Sequence, residues 1–552
     1  MKLRVREIKL PLEHDKDQLR DAVARRLGIS NNEISELKLV KKAVDARRKT
    51  ISFSYTVDVD LDNDIKLSPK AMKSVSIVDA ATQNASTMPA GSKKLTHSPL
   101  VVGAGPAGLF CALYLARNGY KPVVFERGQD MDRRVTSVNK FWRQGVLNPA
   151  SNAQFGEGGA GAFSDGKLTA RSADERIPYI MKTFVKYGAN EEILYVKKPH
   201  LGTDVIRDII KKIRQEILSL GGEFYFDACM TDININQSRL RSIIINNETE
   251  VPCSLLVLAV GNSARDVYRL LYNNNINMQS KAFAVGVRIE HKQELIDRIQ
   301  YGSFAGHPQL GAADYHLTYQ DTVSGRSFYT FCMCPGGYVI AAASGTGQVV
   351  TNGMSYLARN TGIANCALVA TVNPSDWDNR VLGGVEFQEK LEKRAFNLGG
   401  GQFRAPAQYL KDFLAAKKSV NMEKSLATYR PGVTAANLWE LFPQGICETM
   451  SRGIKHWDQK LQGFINETAV LTGAETRTSA PLRIERNEEM TSTSIANLYP
   501  CGEGAGYAGG IISSALDGLK IAENIIATYR KPEKDINIAS DNILNARELL
   551  NK

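Results

Sequence analysis

Three glycines at fixed spacing make up the most informative chemical pattern in the sequence. They follow the apolar stretch 100–102 and lead into the helix-like stretch 106–118. In such a strand–turn–helix unit the first glycine permits the tight turn, the second lets a pyrophosphate approach the backbone, and the third lets the helix pack against the strand. The free N–H groups at the start of the helix then face the phosphates. The predicted phosphate-binding residues are Gly103, Gly105, Pro106, Ala107 and Gly108.

A carboxylate stands where a dinucleotide site needs one. Glu126 ends the next apolar stretch, 123–126, roughly 20 residues beyond the first glycine. A glutamate at this place accepts a hydrogen bond from a ribose hydroxyl and repels the 2′-phosphate of NADP. The turn and Glu126 together predict that the dinucleotide is FAD or NAD, with the neighbouring Arg127 as a further cofactor contact.

A second Gly-rich segment, 497–511, precedes another helix-like stretch. It resembles the second FAD motif of the glutathione-reductase-type flavoproteins, in which a strand ends in Gly-Asp. The resemblance implies that Glu503, after Gly502, binds the flavin ribityl chain, although that superfamily has aspartate at this place. It also implies that the helix starting at Gly510 and Ile511 points its N-terminus at the flavin pyrimidine ring, where its dipole stabilises the anionic reduced flavin.

The segment between these two motifs points to the same cofactor. Residues 255–264 resemble the Ala-x-Gly strand and turn by which the same superfamily closes over FAD, with Gly261 at the turn. The alternative is an ordinary buried strand and turn. Because three segments occur in the order that the superfamily has, FAD is the predicted cofactor.

Four further segments carry a second resemblance: 159–168, 332–337, 351–355 and 473–481. They resemble a bacterial family of FAD-dependent dehydrogenases, the NAD(FAD)-utilising dehydrogenases. The resemblance spans essentially the whole chain and implies a fold and a cofactor, but no substrate. Ala480 and Thr346 depart from the serine and glutamate expected there.

Polar residues beside these motifs are the candidates for handling a substrate. Ser164 and Lys167 lie in a Gly-rich loop that we expect over the cofactor, where they contact FAD or an anionic substrate; a solvent-facing lysine is the alternative. Arg477 follows an apolar strand and is the predicted substrate-orienting residue, with an interdomain salt bridge as its alternative. Arg288 is a weaker candidate that Glu290 would pair structurally, and no histidine falls in a motif that demands a general base.

Alternating strands and helices must position these residues. The pattern predicts an α/β fold in which a Rossmann domain is interrupted by an α+β substrate domain and preceded by a small ferredoxin-like α/β module. The resemblance implies that the Rossmann domain is of the glutathione-reductase type, which binds FAD. The polar stretch 80–98 is interpreted as a linker. The predicted domains are 1–95 for the N-terminal module and linker, 96–280 and 461–552 for the FAD-binding domain with its C-terminal helix, and 281–460 for the substrate domain.

Composition and cysteine spacing set the general class. With 43% hydrophobic and 23% charged residues, the chain has the composition of a globular protein. It has no apolar run of roughly 18 residues and no signal-peptide pattern at its start, so we expect a cytoplasmic protein without a membrane partner. None of the 8 cysteines forms a C-x-x-C pair. Cys332 and Cys334, the closest pair, are interpreted as two residues on one side of a strand, and no metal is predicted.

The positive charge is concentrated near the N-terminus. The net charge is +11, and residues 1–95 hold 19 Lys and Arg against 13 Asp and Glu. A basic cluster there suits a phosphate backbone, which leaves binding of nucleic acid such as tRNA as an alternative function; a solvated surface is the other interpretation. The cluster consists of Lys38, Lys41, Lys42, Arg47, Arg48 and Lys49.

The motifs together predict an FAD-dependent oxidoreductase. It would transfer a hydride, or two electrons, between flavin N5 and a small-molecule substrate. A single dinucleotide fingerprint argues against the pyridine-nucleotide disulfide reductases, so NAD(P)H would bind transiently as electron donor. A protein that binds FAD without catalysis is the remaining alternative.

Overall fold

The N-terminal module folds as predicted. The computed structural model describes residues 2–46, 50–62, 67–73, 75–78, 88–170, 173–536 and 544–549. The elements of the module are β1 (Lys2–Leu10), α1 (Lys16–Leu27), β2 (Ile34–Asp45), β3 (Ser52–Leu61), α2 (Pro69–Met72) and β4 (Val75–Ile77). The strands form one antiparallel sheet in the order β2-β3-β1-β4. This order is that of a ferredoxin-like fold, which confirms the prediction for this module.

Local sequence signals define the helix of this module. The Asp15 side chain accepts a hydrogen bond from the Gln18 N–H at 2.7 Å, and the Gln18 side chain accepts one from the Asp15 N–H at 3.1 Å. This capping box satisfies two of the N–H groups that lack a partner within the helix. The helix ends at Gly28, whose φ of 73° favours glycine.

The chain then forms the first part of an α/β domain, continues through a second domain and finally completes the α/β domain. The first part of the α/β domain contains β5 (Leu100–Val102), α3 (Pro106–Arg117), β6 (Val123–Phe125), α4 (Met131–Gln144), α5 (Ile177–Lys186), α6 (Gly202–Ser219), β7 (Glu223–Phe226), β8 (Met230–Asn236), β9 (Arg239–Ile245), β10 (Thr249–Pro252), β11 (Leu256–Leu258), α7 (Arg265–Asn273) and β12 (Met278–Ser280). The second domain, called the cap domain below, contains β13 (Phe283–Lys292), α8 (Gln293–Tyr301), β14 (Thr318–Gln320), β15 (Ser327–Cys334), β16 (Tyr338–Ala341), β17 (Thr351–Met354), β18 (Ile363–Val372), α9 (Gly383–Leu398), β19 (Ala405–Tyr409), α10 (Leu410–Leu414), β20 (Val433–Ala435), α11 (Gln444–Lys460) and β21 (Val470–Glu475). The returning part contains β22 (Leu482–Ile484), β23 (Leu498–Pro500), α12 (Ile511–Thr528) and β24 (Leu544–Asn545).

The α/β domain has the predicted Rossmann architecture. Its six-stranded sheet has the order β23-β11-β5-β6-β7-β24, parallel except for the last strand. The hairpin predicted near residues 233–245 is β8 and β9, which form a three-stranded meander with β10. A Cβ atom at Gly518 would lie 2.0 Å from the carbonyl oxygen of Ala107, so α12 and α3 are in close backbone contact. The first and the returning parts of the α/β domain thus meet where α12 packs on α3.

The cap domain extends further than the sequence predicted. Its seven-stranded sheet has the order β14-β15-β18-β13-β21-β19-β20, and β21 pairs with both β13 and β19. The predicted boundary at residue 460 is therefore wrong, because the strand 470–475 belongs to the cap sheet. Phe328 and Trp457 stack at 4.4 Å where α11 packs on this sheet. None of the described helices combines the length and the apolar character needed to cross a lipid bilayer.

Candidate functional site

The Gly-rich turn after β5 has the geometry that its spacing predicts. Gly103 has a φ of 105°, and a Cβ atom there would lie 2.3 Å from the carbonyl oxygen of Ala259. A Cβ atom at Gly108 would lie 1.9 Å from the carbonyl oxygen of Gly103, so these two glycines are required by backbone packing. A Cβ atom at Gly105 would have its nearest neighbour, the Cα atom of Gly159, at 3.8 Å. The N-terminus of α3 therefore stays open to a phosphate.

Glu126 lies directly against this turn. Its buried carboxylate accepts hydrogen bonds from the N–H groups of Ala104 at 2.8 Å, Gly156 at 2.9 Å and Gly128 at 3.0 Å. A carboxylate offers about four acceptor positions, so one remains for a ribose hydroxyl. The carboxylate is thus fixed beside the place where the dinucleotide's ribose is expected.

The side chain of Arg127 is bound to other protein groups. Its guanidinium forms an ion pair with Asp266 at 2.9 Å and stacks on the Phe155 ring at 4.4 Å. Both partners restrict its side chain, so a contact between Arg127 and the cofactor remains a prediction.

The Gly-rich loop 156–166 lies over the turn, as its composition suggested. A Cβ atom at Gly159 would lie 3.0 Å from Gly105, and one at Gly161 would lie 3.2 Å from the Ile511 side chain. The loop therefore contacts both cofactor motifs. Ser164 donates a hydrogen bond to the Gly161 carbonyl at 2.8 Å and accepts one from the N–H of Gly166 at 3.0 Å. Its hydroxyl thus stabilises the loop itself.

The second motif meets the first one in space. A Cβ atom at Gly502 would lie 2.7 Å from the Cβ atom of Ala107, which brings the end of β23 next to the start of α3. Gly510 is exposed at the start of α12, next to Ile511. Two helix N-termini, those of α3 and α12, therefore open towards one site, and both supply positive potential to bound anionic groups.

Glu503 is a partly buried acid at this site. Asn262, which follows Gly261 at the end of β11, donates a hydrogen bond to its carboxyl group at 2.8 Å. Burial raises the pKa of Glu503 to about 7, and the nearby positive charge of Lys281 only partly opposes this increase. The carboxyl group changes charge near neutral pH.

This pKa predicts how Glu503 affects stability. Because its pKa in the fold is raised from the usual 4.5 to about 7, the stabilisation is complete at low pH and is lost as the pH rises through about 7. We expect Glu503→Gln to gain thermal stability relative to the wild type between about pH 5 and about pH 8 in cofactor-free protein. The measurement is the difference in Tm between the two proteins at each pH. A constant difference across this range would contradict the raised pKa.

Lys167 lies between the loop and the cap domain. Its ammonium group donates to the carbonyl oxygen of Met333 and forms an ion pair with Asp165 at 3.3 Å. Asp165 is buried and also pairs with Arg359 at 2.5 Å. Because these two partners hold its ammonium group, Lys167 is not a free surface lysine, although 30% of its side-chain surface is exposed.

Arg477 forms a salt bridge between the domains, which was the alternative to its predicted contact with a substrate. It binds Glu392 of α9 with two hydrogen bonds of 3.0 and 3.1 Å, and Arg265 binds the same carboxylate at 2.7 and 2.8 Å. Its remaining contacts are Ser344 at 2.6 Å and Ser263 at 3.0 Å. Glu392 thus lies, fully buried, between one arginine of the cap domain and one of the α/β domain.

Arg288 has a different partner from the one predicted. It pairs with Glu475 across β13 and β21 at 2.9 Å, and both residues are buried. Glu290 instead accepts hydrogen bonds from Thr428. The expected pairing of Arg288 with Glu290 is therefore wrong, because the two side chains contact different elements.

The basic cluster of the N-terminal module is only partly free. Lys38 and Lys41 are exposed on β2, but the Lys42 ammonium lies over the Phe53 ring at 4.3 Å. The backbone of Lys42 also pairs with residues 195 and 197 of the α/β domain. Arg47, Arg48 and Lys49 lie outside the described residues, as do residues 80–87 of the predicted linker.

Two groups of residues near the site were not predicted. Glu392 lies in an amphipathic helix, where a glutamate normally indicates a solvent-exposed face, so nothing in the sequence marked it. Cys332 and Cys334 were interpreted as neighbours on one face of a strand, but Cys332 has a φ of 46° and lies in a β-bulge. The close cysteine pair followed by Pro335-Gly336-Gly337 was the signal available.

Comparisons with known proteins agree with this architecture. Residues 101–146 match the family model of an NAD(P)-binding Rossmann-like domain, and residues 282–478 match that of the FAD-dependent protein, C-terminal domain-like family. Residues 2–60 match a domain of unknown function. A Clostridium beijerinckii protein described as uncharacterized is 46% identical over 536 residues, which cover 97% of this chain and 100% of that protein.

The solved structures that resemble this chain do so at low identity and low TM-score. Aquifex aeolicus GidA is 12% identical, with a TM-score of 0.34, over 78% of this chain and 63% of that one. A geranylgeranyl bacteriochlorophyll reductase-like protein from Thermoplasma acidophilum is 11% identical, with a TM-score of 0.32, over 78% of both chains. Glycine oxidase from Bacillus cereus is 12% identical, with a TM-score of 0.29, over 79% of this chain and 98% of that one.

The predicted fold class and cofactor are confirmed. The Rossmann-like match covers the turn and Glu126, and the FAD-dependent match covers nearly the whole cap domain. The site also fits FAD, because two open helix N-termini, a fixed carboxylate and glycines that admit no side chain converge there. The chain is an FAD-binding α/β protein.

Proposed function

This chain belongs to the same family as the Clostridium beijerinckii protein, and we propose that it is an FAD-dependent oxidoreductase acting on a small-molecule substrate. FAD, when bound, supplies hydride or two-electron transfer at N5. The contact between Gly502 and Ala107 is the observation that supports the proposal most directly. It brings both cofactor motifs to one site, which lies beside the cap domain.

The protein's own residues would bind and orient the reactants. The α3 N-terminus and Glu126 would hold the pyrophosphate and a ribose, and Glu503 would hold the ribityl chain. The α12 N-terminus would stabilise negative charge on the reduced ring, because its free N–H groups point towards the site. Together these groups favour the acceptance of a hydride.

The two predicted substrate-handling residues take different roles in this proposal. Lys167 keeps its proposed contact with an anionic substrate, because 30% of its side-chain surface is exposed. Arg477 has only 5% of its side-chain surface exposed, and Glu392 occupies its guanidinium. We therefore propose that Arg477 is a positioning residue, which holds Ser263 and the adjacent cofactor loop against the cap domain.

Reduction of the flavin by a nicotinamide donor tests the function. We expect anaerobic mixing of the purified holoprotein with NADH or NADPH to bleach the visible absorbance of the flavin, because the donor would bind transiently and pass a hydride to it. The measurement is stopped-flow absorbance under argon.

Chemical reduction provides the control for this experiment. Dithionite should bleach the same sample completely, which shows that all of the FAD in it is reducible. If dithionite bleaches the flavin and neither nicotinamide does so, transient NAD(P)H donation is wrong. If no organic donor then bleaches it, the protein is a non-catalytic FAD-binding protein.

A further inference from the structure

The segment Cys332-Met333-Cys334 leaves the regular geometry of the cap sheet. It ends β15, and the pairing of β15 with β18 shifts register between Phe331 and Cys334. Cys332 has a φ of 46°, which is uncommon for a residue other than glycine. Such backbone strain persists only where the surroundings hold it in place.

Two cationic side chains from different elements bind the backbone carbonyl groups of this segment. Arg288 of β13 donates to the Cys332 carbonyl at 2.8 Å, and Lys167 of the Gly-rich loop donates to the next carbonyl, that of Met333. Arg288 is fully buried, and its other side pairs with Glu475. Lys167 likewise pairs with Asp165, so two ion pairs flank the segment that carries the two thiols.

The two thiols differ in their surroundings. Cys334 is buried and Cys332 is partly exposed, and the Cys334 Sγ lies 3.3 Å from the Cys332 carbonyl oxygen. A hydrogen bond from Cys334 lowers the pKa of Cys332 despite burial, and the charges of Lys167 and Arg288 lower it further. The same interaction and burial raise the pKa of Cys334. This is the pattern of a thiolate next to a thiol that can resolve it.

The pair is connected to both cofactor motifs through the Gly-rich loop 156–166. Lys167, which donates to the carbonyl group of Met333 between the two cysteines, directly follows this loop. A Cβ atom at Gly159 of the loop would lie 3.0 Å from Gly105, and one at Gly161 would lie 3.2 Å from the Ile511 side chain. The negative charge of Cys332 also contributes to the raised pKa of Glu503 in the second motif.

From this arrangement we propose that Cys332 and Cys334 form a redox-active dithiol that exchanges an electron pair with the bound FAD. The proposal rests on the proposed FAD-dependent function. In the oxidative direction an S–S bond forms between the two Sγ atoms, and the pair loses two electrons and two protons in total. FAD is the oxidant and takes up both electrons, with the protons supplied to it or released to solvent. In the reverse direction the disulfide is reduced, and the dithiol becomes available to a disulfide substrate.

Trypsin isolates this pair from the other cysteines. No Lys or Arg lies between Arg326 and Arg359, so one tryptic peptide, 327–359, contains Cys332 and Cys334 and none of the other six. We expect this peptide from oxidised holoprotein, alkylated under denaturing conditions, to carry no alkyl group and to be lighter than the dithiol form by two hydrogens. After reduction it should carry two alkyl groups.

Electron counting tests the link to the flavin. Oxidised wild-type holoprotein should take up two electron pairs per FAD from dithionite, whereas Cys332→Ser and Cys334→Ser should take up one. Cys229→Ser, which changes a partly exposed cysteine elsewhere, should match the wild type. The FAD content of each variant shows whether it is folded. The peptide-mass measurement uses only the wild-type protein, so it does not depend on the folding of any variant.

Two results would overturn the dithiol: full alkylation of the 327–359 peptide in the oxidised holoprotein, or uptake of a single electron pair per FAD by the wild type. If NAD(P)H still bleaches the flavin, the oxidoreductase function stands without the dithiol. If the disulfide forms and takes up its electron pair but no nicotinamide bleaches the flavin, the dithiol stands and the donor assignment fails.

Discussion

Gly108→Ala is expected to weaken FAD binding severely. The new Cβ atom would lie 1.9 Å from the Gly103 carbonyl oxygen, which belongs to the backbone and cannot rotate away. The start of α3 must therefore move from β5, and its N–H groups move with it relative to the pyrophosphate. Overpacking of this kind costs about 1–3 kcal/mol, which corresponds to roughly 5- to 150-fold weaker binding. The measurement is FAD affinity by fluorescence titration of the cofactor-free protein.

Gly445→Ala is the matched control for this substitution. Gly445 is also in the first turn of a helix, α11, but a Cβ atom there has no neighbour within 4 Å. Its FAD affinity should equal that of the wild type, and its stability should be unchanged or slightly higher, because alanine favours helix. Equal FAD affinity of the Gly108→Ala protein and the control would show that the first turn of α3 does not contact the cofactor.

Glu392→Ala is expected to produce the largest loss of stability. This carboxylate is fully buried and binds both Arg265 and Arg477 with two hydrogen bonds each. Its removal leaves two guanidinium groups without a counter-charge in the contact between the domains. Breaking a buried ion pair in this way costs about 3–5 kcal/mol. We expect a markedly lower Tm, and loss of FAD at a lower temperature, by thermal unfolding monitored with flavin fluorescence.

The same helix provides a control for the ion pair. Glu386 of α9 pairs with Arg380 at 2.6 Å, but roughly half of each side chain is exposed. Glu386→Ala should cost at most about 1 kcal/mol, because water screens an exposed pair. If both variants shift the Tm equally, the Glu392 carboxylate is not buried between the domains in solution.

Local motifs could be predicted from sequence because their constraints act over short distances. The turn at Gly103, the helix that follows it and Glu126 all lie within one strand–helix–strand unit, and each glycine has a steric reason to be there. The ferredoxin-like module was predictable for a similar reason. Its capping box and its alternating strands are visible within residues 2–61. Only a few orders of four strands in one sheet would bury the apolar face of every strand.

The limits of the cap domain were less predictable. The strand 470–475 is apolar and lies close in sequence to the second cofactor motif, which suggested that it belonged to the α/β domain. It pairs instead with β13 and β19. Strand pairing between distant segments depends on which partner has a free edge, and a single sequence does not contain that information.

The sequence by itself thus determined the fold class and the cofactor, and it predicted the glycines and carboxylates that we propose to surround the cofactor. The tertiary structure alone decided the partners of the charged and thiol groups. Arg477 binds Glu392 across 85 residues, Arg288 binds Glu475 across 187, and Lys167 meets Met333 across 166. A glycine's role follows from its own backbone, whereas a buried charge is stable only beside a partner that the folded chain brings to it.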